Sequence, residues 1–125
     1  MFRAYEDGNL LTQHFSVVHS QDAKRAFHYL MGWASTLPDY ECLPGRHGHI
    51  RDFRFMRGSD WDFAFIPNKA WLLFYFRAPS LRPPKFAKAE VLARFPAAKE
   101  TSSGEITIRI ESLDDAVELA RFIDR

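Results

Sequence analysis

The residues best able to do chemistry lie in the middle of the chain. Asp60-Trp61-Asp62 sets two carboxylates on one face of an extended run, with the indole on the other. Such a pair can bind a divalent cation for phosphoryl chemistry, or act as general acid and base. A metal-dependent phosphodiesterase built this way needs a further acidic group and a lysine, and Lys69 stands only on the next turn. The plainer reading is two solvated charges at a hairpin, paired with Arg54 across it and worth about 0.2–1 kcal/mol. The plainer reading is favoured, because no further catalytic group converges on the pair.

Arg46-His47-Gly48-His49, with Cys42 upstream and Asp52 downstream, is the nearest approach to a metal site. On a strand His47 and His49 would share a face, and a thiolate or carboxylate would add a third ligand. The spacing matches no zinc pattern, there is no second cysteine, and Gly48 loosens the backbone that would hold the ligands. A polar loop leading into a strand explains the segment as well. No Gly-rich nucleotide loop and no nucleophile elbow occurs. The chain calls for no cofactor.

The basic series Arg51, Arg54, Arg57, Lys69, Arg77, Arg82, Lys85, Lys88 and Arg94 is interleaved with aromatic residues. Single-stranded nucleic acid wants this composition, cations for phosphates and rings for bases. Phe53, Phe55, Phe63 and Phe65 alternate onto one face and are committed to a core, so they cannot also stack on bases. A phosphate-tracking patch of Arg54, Arg82, Lys85 and Lys88 survives that objection. Protein association is the other option. If the sheet's outer face shows Met56, Trp61 and Tyr75 together, a self-complementary homodimer would hide them.

Elements must position these groups. Residues 51–57, 60–66 and 71–77 are strand-like runs separated by short turn signals, an antiparallel meander whose third strand is apolar on both faces. Residues 10–18 alternate partially and predict a strand. Ser20 follows as a helix N-cap, with Ala23, Ala26, Phe27, Leu30, Met31 and Ala34 at helical spacing before Pro38. Residues 39–49 read as a loop centred on Pro44-Gly45. Pro84 suits the first turn of a helix over residues 85–94. Ile106, Ile108 and Ile110 alternate along a strand, and Ser112 with Asp115 resembles a capping box opening a final helix. The expectation is an α+β, two-layer sandwich of order β-α-β-β-β-α-β-α. Its mostly antiparallel sheet has about five strands, with helices on one face. Residues 1–125 form a single domain, with a loose end at residues 1–9.

Size and charge agree. The 125 residues suit one domain, and 46% are apolar, so disorder is unexpected. Net charge is only +1, but residues 45–100 hold 11 basic and 5 acidic side chains between two mildly acidic ends. The lone Cys42 permits no internal disulfide, and no run approaches membrane-span length. A cytoplasmic location is expected.

Several stretches together resemble a known family. They are Leu37-Pro38-Asp39-Tyr40, Phe53-Arg54-Phe55, residues 62–69 (Asp-Phe-Ala-Phe-Ile-Pro-Asn-Lys), Trp71-Leu72-Leu73-Phe74 and residues 106–115. In element order and hydrophobic pattern they resemble a small bacterial domain of unknown function. That domain, sometimes labelled a predicted transport protein, stands alone or is fused to nuclease-like and DNA-restriction proteins. The resemblance covers residues from Ser20 onward and carries over no catalytic residue. It implies nucleic-acid or defence-related company. The reading from sequence is a non-enzymatic macromolecule-binding domain contacting a nucleic-acid backbone, with a homodimeric interaction domain as the alternative.

Overall fold

Seven side chains from the meander and its neighbours decide the architecture. Phe53, Phe55, Phe63, Phe65, Leu72, Phe74 and Phe76 are all buried on one face of a single sheet, where their rings meet those of the second and last helices. The structure is a computed structural model. It describes residues 4–82 and 85–124, with side chains from residue 8 onward.

The elements are α1 (Ala4–Ser16), α2 (Gln21–Ala34), β1 (Glu41–His47), β2 (Ile50–Arg57), β3 (Asp60–Pro67), β4 (Leu72–Phe76), a 3-10 turn (Ala78–Leu81), α3 (Lys88–Arg94), β5 (Lys99–Glu100), β6 (Ile106–Ile110) and α4 (Leu113–Asp124). The six strands pair in the order β1-β2-β3-β4-β6-β5, antiparallel throughout. The chain therefore has the α+β, two-layer fold class its pattern implies.

Two elements differ from expectation. Residues 10–18 lie in and just after helix α1 rather than in a strand. Leu11, His14, Phe15 and Val18 recur at helical spacing, and this periodicity outweighs the partial alternation. The first strand of the sheet is instead Glu41–His47, through the Pro44-Gly45 that reads locally as a turn. An edge strand tolerates proline because one side of its ladder needs no N–H. The other edge, β5, is only two residues long, so both edges are poor templates for further strand pairing. The expected loose end is helical from Ala4, and residues 1–3 lie outside the described residues. So does Pro84, where a helix start is expected. Helix α3 begins at Lys88.

Local chemistry accounts for the joints. Gly48 and Gly58 each take positive φ at the first position of a two-residue hairpin loop, while no other residue type does so anywhere described. That is the type II′ pattern, whose twist matches the strands. Ser20 Oγ accepts from Ala23 N at 3.3 Å and caps α2. Ser112 Oγ accepts from Asp115 N, and Asp115 returns a bond to the Glu111 amide. The α1–α2 link is pinned where the His19 and Ser20 amides both donate to the Lys69 carbonyl.

The interior is a lattice of rings. Phe27 packs edge-on to Phe65, Trp33 tilts against Phe55, and Phe76 meets Phe86 and Phe122. Among the described residues no helix is long and apolar enough to cross a membrane. With the helices on one face, the opposite face of the sheet carries no helical layer among the described residues.

Candidate functional site

The uncovered face is built from the residues that alternate against the core phenylalanines. Strand pairing sets Leu43, Arg54, Ala64, Tyr75, Thr107 and Lys99 in one row across all six strands. Leu73 and Arg109 sit in the row beside it. Trp61 opposes Met56 at the next position. The expected trio Met56, Trp61 and Tyr75 thus does share this face, and all three are half-buried.

Its rings are dressed with guanidinium groups. Trp61 receives one from each side: the Arg54 Cζ lies 4.5 Å from the ring centroid and the Arg77 Cζ 3.9 Å. Each arginine is steadied by a carboxylate, Arg54 Nε on Asp52 Oδ1 at 2.7 Å and Arg77 Nε on Glu105 Oε2 at 3.1 Å. Arg109 lies over Trp71 at 4.1 Å. Desolvated cation–π contacts of this kind stabilise by about 1–2 kcal/mol each. They hold Trp61 although its indole N–H is buried without an acceptor among the described residues.

A recess of about 340 Å³ opens at the centre of the face. Ala64 forms its floor because it is small where its row neighbours are Arg54 and Tyr75. Trp61, Ile66, Asp52, Arg77 and Glu105 contribute to the walls, with His47 and Ile50 at one end. Gly45 is needed for this arrangement. A Cβ there would overlap Arg54 Nε and Asp52 Oδ1, so the glycine in β1 gives the Arg54–Asp52 pair its slot. Behind the same pair, His14 Nε2 lies 2.9 Å from the Gly45 carbonyl and 2.8 Å from the Asp52 carbonyl, tying α1 to the β1–β2 ladder.

The expected solvated setting of Asp60 and Asp62 is corrected for Asp62 by a β-bulge. Phe55 opposes Phe63 and Met56 opposes Trp61, so β3 supplies one residue more than β2 between them, and that residue is Asp62. The bulge turns Asp62 to the helix side, where its side chain is 0% exposed. It accepts from Tyr40 OH at 2.7 Å, Arg57 Nε at 3.0 Å and Lys85 Nζ at 3.2 Å. Asp60 sits outside this cluster, 3.5 Å from Arg57 Nη2. The cross-hairpin partner of the two aspartates is therefore Arg57 and not Arg54. With both its oxygens engaged, Asp62 is a structural acceptor. It ties the segment after the 3-10 turn to the sheet, beside a cleft of about 630 Å³ lined by Tyr40, Arg57, Lys85 and Phe86 among others.

The four cations of the expected phosphate patch do not share one surface. Arg54 is on the uncovered face, and Lys85 is bound to Asp62 on the helix side. Lys88 pairs with Glu100 at 3.1 Å, and Arg82 is exposed in the segment between. His47 and His49 flank the Gly48 hairpin, both exposed. Among the described residues no group of three His, Cys, Asp or Glu side chains is placed to hold a metal ion. Arg77, Arg109 and Glu105 are the residues that sequence reading missed as a group. Strand alternation from Tyr75 and Ile108 places each of them opposite the core face.

Buried Cys42 and half-buried Tyr40 make the fold less stable at alkaline pH. Burial pushes the Cys42 thiol up to about 11 from its ordinary 9.0. Burial, then the hydrogen bond and charge of Asp62, raise the Tyr40 phenol well above its usual value. Both groups hold their protons in the folded chain at a pH where the unfolded chain has lost them. Stability is therefore full below about pH 9 and falls as pH rises through about 11, by roughly 1–3 kcal/mol for the thiol alone. Urea unfolding at pH 8 and pH 10.5 checks this. Cys42→Ala is expected to show the shallower loss, and an equal loss in both proteins would reject the assignment.

No family model matches the chain, and neither does any curated protein or solved structure.

Proposed function

We propose that the protein is a non-enzymatic binding domain whose uncovered sheet face receives single-stranded nucleic acid. The observation that carries this reading is the combination on one face of Tyr75, Trp61 and Trp71 with Arg54, Arg77 and Arg109. A sheet that displays rings and arginines stacks bases on both, because bases lie on aromatic faces and on guanidinium planes alike. Tyr75 is the ring best suited to the first contact. It stands beside the recess, half-buried, and is the aromatic ring of this group with no guanidinium over it.

Charge on the face supports the reading modestly. Arg54, Arg77, Arg109 and Lys99 stand against Asp52, Glu105 and, at the β1 edge, Glu41. An excess of one positive charge makes stacking the larger contribution, at about 1–3 kcal/mol per base.

The test is fluorescence anisotropy with a labelled ten-residue oligothymidine at 50 and 200 mM salt. Tyr75→Ala is expected to weaken binding by roughly 5- to 100-fold. Replacing Arg54, Arg77 and Arg109 together by alanine is expected to lower the salt slope by about 2, near 0.7 per lost phosphate contact. A larger loss in an Arg82→Ala, Lys88→Ala double variant would move the contact to the helix side. Concentration-dependent dimerisation that depends on Trp61 and Tyr75, without oligonucleotide binding, would put a second copy of the chain on this face instead.

A further inference from the structure

Resting on that reading, we infer that the recess above Ala64 selects guanine over the other bases. The argument comes from what its walls leave unused. Asp52 and Glu105 each commit one carboxylate oxygen to an arginine Nε, leaving Asp52 Oδ2 and Glu105 Oε1 without a hydrogen bond from any described residue. Neither free oxygen is among the buried unsatisfied atoms, and both residues line the recess. The terminal nitrogens of Arg54 and Arg77 likewise make no hydrogen bond to a described residue and remain available to donate.

The recess therefore presents carboxylate acceptors next to guanidinium donors, around a small floor with a tyrosine beside it. Its volume of about 340 Å³ suits one ring system and not an extended ligand. Guanine answers this pattern on both edges. Its N1–H and N2–H₂ form a donor pair that a carboxylate takes together, and its O6 and N7 form the acceptor pair that arginine reads bidentately. Adenine and cytosine each offer a single amino donor to a carboxylate. Thymine and uracil flank their one N–H with two carbonyl oxygens, which a carboxylate repels.

The experiment compares the same ten-residue oligothymidine with versions carrying one central guanine, adenine, cytosine or inosine. Guanine is expected to bind on the order of tenfold tighter than thymine at that position, since one bidentate contact separates them. Inosine, which lacks the 2-amino group, is expected to lose most of the gain. Glu105→Gln is expected to shrink the guanine-to-thymine ratio measured on that same variant. Gly45→Ala, which displaces the Arg54–Asp52 pair, is expected to shrink it without touching Glu105. Equal affinity for all five strands, or adenine or cytosine matching guanine, would overturn the selection and leave the binding face intact. Absence of binding to every strand at 50 mM salt would overturn both.

Discussion

Replacing Phe63 with alanine is expected to lower stability by about 3–5 kcal/mol, the usual range for emptying a buried phenylalanine site. The upper half of that range applies here. Phe63 is buried to 1% exposure, and its ring touches five others: Tyr40, Phe55, Phe74, Phe76 and Phe86. Three of these, Phe55, Phe74 and Phe76, are fixed by strand pairing and cannot move into the space without breaking a ladder. Phe86 can move, because it arrives on the irregular segment before α3, and its collapse would pull Lys85 from Asp62. The variant is checked by urea unfolding at neutral pH. A loss below about 1 kcal/mol would mean that the ring lattice repacks freely and that the core is not organised around Phe63.

Asp62→Ala is expected to cost about 3 kcal/mol. Removing one member of a buried ion pair costs about 3–5 kcal/mol when the abandoned charge stays buried. Arg57 and Lys85 are each about a third exposed and can rehydrate, which brings the expectation to the lower end of that range. The Tyr40 hydroxyl also loses the carboxylate it donates to. For a chain of this size the loss lowers the melting temperature by roughly 10 °C. Asp62→Asn keeps an acceptor oxygen for Tyr40 and is expected to recover part of the loss. If alanine and asparagine melt together within 1–2 °C of the native chain, the cluster is not what holds the segment after the 3-10 turn.

The strand runs were legible because their periods were unambiguous. Phe53 and Phe55 flank Arg54, Phe63 and Phe65 flank the small Ala64, and Ile106, Ile108 and Ile110 alternate with polar residues, and each set became a buried row. Ser20 and Ser112 were legible because N-capping is a contact within four residues. Residues 10–18 were misread where two periods competed over a short span. Leu11, His14, Phe15 and Val18 satisfy the helical one, and only α1's docking onto β1 and β2 settles the matter. Pro44-Gly45 was misread for a different reason. As a local signal it means a turn, yet at a sheet edge the missing N–H costs nothing and the missing Cβ leaves room for Arg54.

The candidate site was legible in part. Alternation alone puts Met56 and Tyr75 opposite the core, whereas Trp61 is in phase with Phe63 and Phe65 and reaches the uncovered face only through the β3 bulge. Arg54 belongs to this face, while Lys85, expected in one patch with it, lies across the sheet. Nearness in sequence does not give nearness in space along a segment that crosses from one side of the sheet to the other. Asp62 was placed on the wrong face because a bulge adds one residue to β3, and a single added residue inverts the side on which the next residue points.

Patterns carried by neighbouring residues, then, were decided by the chain alone: that β2, β3, β4 and β6 are strands, that their phenylalanines and isoleucines face inward, that Ser20 and Ser112 cap helices, and that the result is a two-layer α+β domain. Each rests on interactions spanning two to four residues, whose geometry is set by backbone period. The tertiary structure decided everything that depends on strands from distant parts of the chain lying side by side. It brought Arg77 and Glu105, 28 residues apart, to one wall of a recess opposite Arg54 and Asp52. It also turned Asp62 from a surface carboxylate into a buried acceptor. Sheet order and register are collective outcomes of packing, and no local window of sequence contains them.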